Sequence, residues 1–325
     1  MKAMLLAAGR GVRFRPVTER IPKALLPFLN VPLAEAHLAA LRDAGVAEAG
    51  VNLHHLGDQV ESHLRDRAAD LPELRFFPEP RILGTGGALA NAAPFLDGED
   101  FFVVNADAAI QPDYRGLMAR HRESGRAATL LVVENRYPDR YTPLQAEGDR
   151  ITAFGGEIAN PLLYTGVCVL APRLLARIPG GERSLVSDVW QVILREEREE
   201  IGWVRHTGPF ADLGRPGDFL RASLEFLRRG GPFPRGSGHF DPEPRVLALD
   251  PPGELEADAS VLGRASIGGG GSIRESAVWT GVRIGDGVRL LRCLAVRGIL
   301  SDGAVYEDAL LWSADGGVVT AHPLG

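Results

Sequence analysis

The chain has 325 residues, 45% hydrophobic and 24% charged, with a formal net charge of -6. This suits a soluble globular protein with one large domain, or a large one and a small one. The acidic balance argues against a broad nucleic-acid surface, and no apolar run approaches the roughly 20 residues that span a bilayer. Met1–Leu6 is too short an apolar run for a signal peptide and enters a glycine loop directly. Cys168 and Cys293, both in apolar segments, predict buried free thiols in a reducing cytoplasm rather than a disulfide framework.

The first predicted strand, Ala3–Ala7, empties into a loop with Gly9 and Gly11. Arg13 follows, and Lys23 stands between Pro22 and an apolar segment. Glycines without Cβ let backbone N–H groups close on an anion, and a nest of such groups holds phosphate oxygens. Two fixed cations can then neutralise a polyphosphate. No G-K-[ST] follows, and Phe14 stands where the dinucleotide fingerprint requires glycine or alanine. A tight strand-to-helix turn is the other reading of the two glycines taken alone.

Further along, Leu33–Ala44 has helical periodicity and Ala49–Leu53 reads as a strand. Gly57–Ala68 is a polar helix with Val60 and Leu64 on one face. Ile82–Ala88 reads as a glycine-rich helix start. Phe101–Val104 is a continuous apolar run, as in a strand buried on both faces. A helix over Tyr114–Ser124 and strands over Ala127–Val133 and Ile151–Phe154 continue the alternation. Such alternation predicts a mostly parallel sheet covered by helices, with ligands beyond the carboxyl ends of its strands. Asp107 lies just past one such end, where it could also be a solvated cap for the next element.

From Arg229 the texture changes to a glycine- and proline-rich linker. Beyond it aliphatic residues recur every six positions: Val261, Ile267, Ile273; then Val278, Ile284, Leu290, Val296; then Ile299, Val305, Leu311. A six-residue period predicts a parallel β-helix, in which each aliphatic residue stacks on its counterpart one coil away. A small β-domain with chance spacing is the alternative.

Taken together, L-A-A-G-x-G-x-R-F-x-P-x-T from Leu6 to Thr18, and P-K-A-L-x-P from Pro22 to Pro27, resemble the sugar-1-phosphate nucleotidylyltransferases, or nucleotide-diphospho-sugar pyrophosphorylases. The resemblance implies a Rossmann-like, mostly parallel sheet with helices on both faces over 1–228. A linker over 229–253 and a left-handed hexapeptide-repeat β-helix over 254–325 would follow. It implies Arg13 and Lys23 as catalytic cations. Leu6, Ala8, Gly9, Gly11, Gly84, Thr85 and Gly86 would surround the nucleotide, and Asn105, Glu157 and Gly166 the sugar phosphate. Asp107 and Asp212 would hold Mg²⁺, a cation that prefers hard oxygens and keeps several waters. His54 and His55 read as structural. Many relatives carry a lysine directly after the glutamate matching Glu157; here Ile158 follows, and Arg136 or Arg140 are the candidate substitutes.

The reaction so implied is attack by a sugar-1-phosphate oxygen on the α-phosphorus of a nucleoside triphosphate, with pyrophosphate leaving. A phosphate monoester is largely dianionic at neutral pH, so no general base is needed. GTP with mannose 1-phosphate is the expected pair, and a uridylyltransferase acting on glucose- or amino-sugar phosphates is the nearest variant. A silent nucleotide-sugar-binding subunit is the second reading. An acyltransferase using the β-helix, with only His239 and His322 near it as possible bases, ranks last. Self-association through the β-helix is expected, with neither nucleic acid nor membrane as partner.

Overall fold

The computed structural model describes residues 1–136, 139–158, 161–196, 200–229, 239–241, 245–250 and 256–325. The chain forms two compact units, Met1–Gly9 with His37–Phe210, and Arg10–Ala36 with Ala211–Gly325. These divisions fall elsewhere than the expected linker at 229–253, most of which lies outside the described residues.

The first unit is built on a nine-stranded sheet. From edge to edge its order is Glu73–Pro78, Glu48–Leu53, Lys2–Leu6, Phe101–Asn105, Leu162–Leu170, Ala128–Glu134, Ile201–Arg205, Arg150–Phe154 and Leu144–Glu147. The first four run parallel, with Leu6 level with both Asn52 and Asn105, so three strand ends share one edge. Phe101, Phe102, Val103 and Val104 are fully buried, as their unbroken apolar run predicts for a central strand.

Beyond Phe101–Asn105 the sheet departs from the mostly parallel arrangement expected. Leu162–Leu170 is antiparallel to both its principal neighbours, and Leu144–Glu147 and Arg150–Phe154 form a hairpin. The hairpin turns at Gly148, whose φ of 59° suits the tight turn between two antiparallel strands. No crossover helix is needed there, so the strand–helix alternation that enforces parallel pairing stops. The sheet is mixed for that reason.

In the second unit, the helix Pro216–Arg229 carries an aromatic face. Phe219 meets Phe14, Phe28 and Trp279 edge-on at centroid distances of 5.8, 5.6 and 5.6 Å, and Phe226 meets Phe28 at 5.1 Å. Each such pair is worth about 0.5–1.5 kcal/mol beyond its buried area.

The described strands after residue 238 form three further sheets, of seven, four and three strands, whose successive members pair mostly in parallel. Their repeat is tighter than the six-residue reading. Most residues paired in parallel are 16 or 17 positions apart, as in Val261, Ala277 and Leu294, whereas three six-residue sides would require 18. The interior stack is Leu262, Ile273, Val278, Ile284, Leu290, Ala295, Leu300 and Leu311, with Ile267 and Tyr306 partly buried against it. Val261 and Val296 are buried outside this cluster, Ile299 is only partly buried, and Val305 is 60% exposed. A recurring corner explains the shortening. Ala259, Glu275, Arg292 and Asp308 all have positive φ and recur at the same 16- or 17-residue spacing, so the chain turns there within fewer residues.

Candidate active site

The loop after Lys2–Leu6 is fixed by few contacts. Gly11 sits in the left-handed region at φ 60°, its carbonyl accepting from Phe14 N–H at 2.8 Å and from the Thr18 hydroxyl at 2.7 Å. A Cβ there would lie 2.8 Å from Thr18 Cγ2 and 3.3 Å from Lys23 Cβ. Glycine is therefore required by both conformation and space. Gly9 is exposed, and a Cβ on it would meet nothing. Phe14 is buried, which leaves its neighbour Arg13 half-exposed, with Nη2 3.7 Å from Asp212 Oδ2. Lys23 opens a short 3₁₀ turn and is 7% exposed.

At the shared strand edge, Leu6 carbonyl accepts from Ala106 N–H at 3.1 Å, and Asn105 ends its strand with Asp107 two residues on. His37 Nε2 donates to Ala108 carbonyl at 2.9 Å; burial pushes its pKa down to about 4, against smaller upward pulls from that bond and from the Asp107 charge. Gly166, at φ 84°, backs directly onto Asn105, and a Cβ would fall 2.7 Å from Asn105 Nδ2. Two of the three expected sugar-phosphate residues are thus in contact.

The third, Glu157, is exposed just after a bend at Gly155 and Gly156, both at positive φ; Ala159 and Asn160 beyond it lie outside the described residues. Arg136 pairs with Glu134 at 3.7 Å, and Arg140 stands 5.2 Å over the Tyr141 ring.

The helix Gly84–Asn91 has its N-terminal glycines explained by a segment the sequence reading did not single out. Arg183 carbonyl accepts from Gly86 and Gly87 N–H at 2.8 and 3.3 Å, and Thr85 Oγ1 accepts from Leu185 N–H at 2.8 Å. Added Cβ atoms would fall 2.4 Å from Arg183 oxygen at Gly84 and 2.0 Å from Gly181 oxygen at Gly87. The chain packs here backbone to backbone, and only glycine leaves room. An open cleft of about 750 Å³ beside this helix start is lined by Arg81, Gly84, Thr85, Glu182, Arg183, Ser184 and Asp188.

A second unexpected feature is a buried string of hydrogen bonds. Ala7 N–H donates to Asn52 Oδ1 at 2.7 Å, Asn52 Nδ2 to Glu79 Oε1 at 2.8 Å, and Leu83 N–H to Glu79 Oε2 at 2.9 Å. His54 Nδ1 meets Glu79 carbonyl at 2.8 Å, which gives that histidine a structural bond. The only sequence signal was a polar Asn52 within an apolar strand and an acid between two prolines. Among the described residues no group of three or more His, Cys, Asp and Glu gathers as a metal cage, and no helix is long and apolar enough to cross a membrane.

The sequence pattern of the nucleotidyl transferase family matches residues 2–228. Over 220 residues the chain is 36% identical to an N-acetylmuramate alpha-1-phosphate uridylyltransferase of Neisseria meningitidis serogroup B, covering 66% of this chain and 93% of that protein. It is 29% identical over 289 residues to a mannose-1-phosphate guanylyltransferase of Mycobacterium tuberculosis, covering 87% and 80%. Among solved structures, HddC from Yersinia pseudotuberculosis aligns with a TM-score of 0.60 at 23% identity, covering 69% of this chain and 99% of that one, a likeness of fold.

Proposed function

The chain belongs to the nucleotidyl transferase family, and from that premise we propose that it transfers a nucleotidyl group from a nucleoside triphosphate to a sugar 1-phosphate, releasing pyrophosphate. The observation that carries this reading is the loop after Leu6. Gly11 is pinned on Thr18 and Lys23, while the burial of Phe14 leaves Arg13 available to solvent.

In this reading Arg13, Lys23 and the amides around Gly9 and Gly11 hold the triphosphate and oppose the charge that develops on pyrophosphate. Leu6 and Ala8 flank the nucleotide from the strand end, and Gly84, Thr85 and Gly86 from the facing helix start. Asn105 and Gly166, with Glu157, line the sugar phosphate, whose own dianion is the nucleophile. Asp107 and Asp212 would hold Mg²⁺. Two carboxylates fit a cation that takes its remaining oxygens from phosphate and water, and Asp212 already faces a cation, Arg13, at 3.7 Å. Bound there, Mg²⁺ would supply charge neutralisation on the phosphates.

For the substrates, GTP and mannose 1-phosphate are favoured by the likeness to the M. tuberculosis enzyme, which runs over 289 residues and so beyond the family region. A uridylyltransferase is the second reading, favoured by the 36% identity to the N. meningitidis protein. The parallel ladders after residue 256 support a left-handed β-helix, and exposed Val305 and Val318 there suit contact with a second copy. Two unpaired cysteines accord with a cytoplasmic setting.

The test is pyrophosphate release from a panel of triphosphates and sugar 1-phosphates with Mg²⁺. GTP with mannose 1-phosphate should give the highest kcat/KM, and a higher value for UTP with an amino-sugar phosphate would move the assignment to the uridylyltransferase. Binding of a nucleotide sugar with no turnover of any pair would leave a silent binding subunit.

A further inference from the structure

We infer that Asn52 and Glu79 are positioning residues whose buried hydrogen bonds set the nucleotide-binding geometry by tying the entrance of the glycine loop to that of the Gly84 helix. The inference rests on the reading of both as nucleotide-binding elements. Asn52 and Glu79 are each 4% exposed, so neither is a solvated polar side chain. The string begins at Ala7, the last residue before Ala8-Gly9, and ends at Leu83, the residue before Gly84. The first two bonds join residues 45 and 27 positions apart, which only folding brings together, and the third is a local one across 4 positions.

Every acceptor in the string is matched to one donor. Both carboxylate oxygens of Glu79 are occupied by protein groups, which leaves this side chain bound inward. Its backbone is held too: Glu79 N–H donates to Leu53 carbonyl at 2.7 Å, and its carbonyl, able only to accept, fixes the proton on His54 Nδ1. Glu79 therefore cannot shift without moving Leu83, and Asn52 cannot turn without releasing Ala7. A buried donor or acceptor left unmatched forfeits its hydration with nothing in return, so the string holds one polarity and one geometry.

That polarity supplies the test. In Glu79→Gln the new amide must face either Asn52 Nδ2 or Leu83 N–H, donor against donor. In Asn52→Asp a carboxylate faces a carboxylate. In the double variant, the carboxylate introduced at position 52 accepts from Ala7 N–H and from the amide introduced at position 79. The carbonyl oxygen of that amide accepts from Leu83 N–H. Every bond returns, with only the middle one reversed.

Triphosphate affinity and steady-state kinetics are measured on the full chain well below its melting temperature, with amide exchange at Ala7 and Leu83. Each single variant should weaken triphosphate binding and raise its KM about tenfold or more, with kcat moved much less, and speed exchange at both amides. The double variant should return to within about threefold of the parent, against roughly a hundredfold loss if the two changes simply added. Additive losses would overturn the inference. So would single variants that melt earlier yet bind triphosphate normally, because that is the mark of a merely structural pair. If a single variant does not fold, a double variant that folds and binds meets the expectation, and one that also fails overturns it. Should the parent bind no triphosphate, the nucleotide reading falls on its own. Exchange at Ala7 in Glu79→Gln, two hydrogen bonds from the change, then decides whether the string couples the two elements.

Discussion

Arg13 Nη2 stands 3.7 Å from Asp212 Oδ2, and the same guanidinium covers Gly214, where a Cβ would fall 2.6 Å from Nη2. Arg13 is 48% exposed, so the ion pair itself contributes at most about 1 kcal/mol and does not hold the unit together. Gly214 instead provides the floor on which a cation rests beside a carboxylate.

Gly214→Ala should therefore separate activity from stability. The new methyl meets the far end of a flexible side chain, which can swing away at little cost in folding. Arg13 would then leave its position. We expect turnover to fall about tenfold or more, and Arg13→Ala by about 10²–10³. The melting temperature should stay within a few degrees in both variants. Normal kinetics in Arg13→Ala would remove Arg13 from the chemistry.

Gly166→Ala should act at the opposite end of the proposed reaction. At φ 84° an L-residue is strained by roughly 1–2 kcal/mol, and its Cβ would press on Asn105 at 2.7–2.9 Å. The expected outcome is a lower melting temperature and a higher KM for the sugar phosphate, with the KM for triphosphate nearly unchanged. An equal rise in both KM values would place Asn105 elsewhere.

Stability should fall in mild acid. Burial pushes His37 down to about 4 and lowers His121 and His206 as well. A histidine whose folded pKa lies below its unfolded value binds its proton preferentially in the unfolded chain. The share of stability from neutral His37 is thus complete above pH 6.5 and is lost as pH falls towards 4, by roughly 3 kcal/mol at most. Urea unfolding at pH 7.5 and pH 5 measures it, and His37→Gln should flatten the difference.

Neither thiol should be reactive in the native protein. Burial pushes Cys168 up to about 12, against a smaller downward pull from its hydrogen bond with Tyr164, and burial raises Cys293 too. Thiolate is then scarce at pH 8. Alkylation should label neither cysteine until denaturant is added, and rapid native labelling at either position would contradict its burial.

Features whose physics is local were legible from the residues alone. The unbroken Phe101–Val104 run took the buried-strand form expected of it, and glycine at position 11 and aromatic Phe14 took a left-handed turn and a buried place that their residue types favour. The aliphatic recurrence in the C-terminal region likewise pointed to strands pairing in parallel at a regular spacing. Its true repeat of 16 or 17 residues was hidden, because non-glycine residues such as Glu275 and Arg292 take left-handed corners that no side-chain pattern reveals. Which distant groups meet emerged from the folded arrangement instead. Asn105 against Gly166, Arg183 over the Gly84 helix, and the bonds from Ala7 through Asn52 to Glu79 join residues far apart along the chain. Hydrogen bonds and close packing act over a few ångströms of space, so their partners are fixed by strand order and register, which no local spacing encodes.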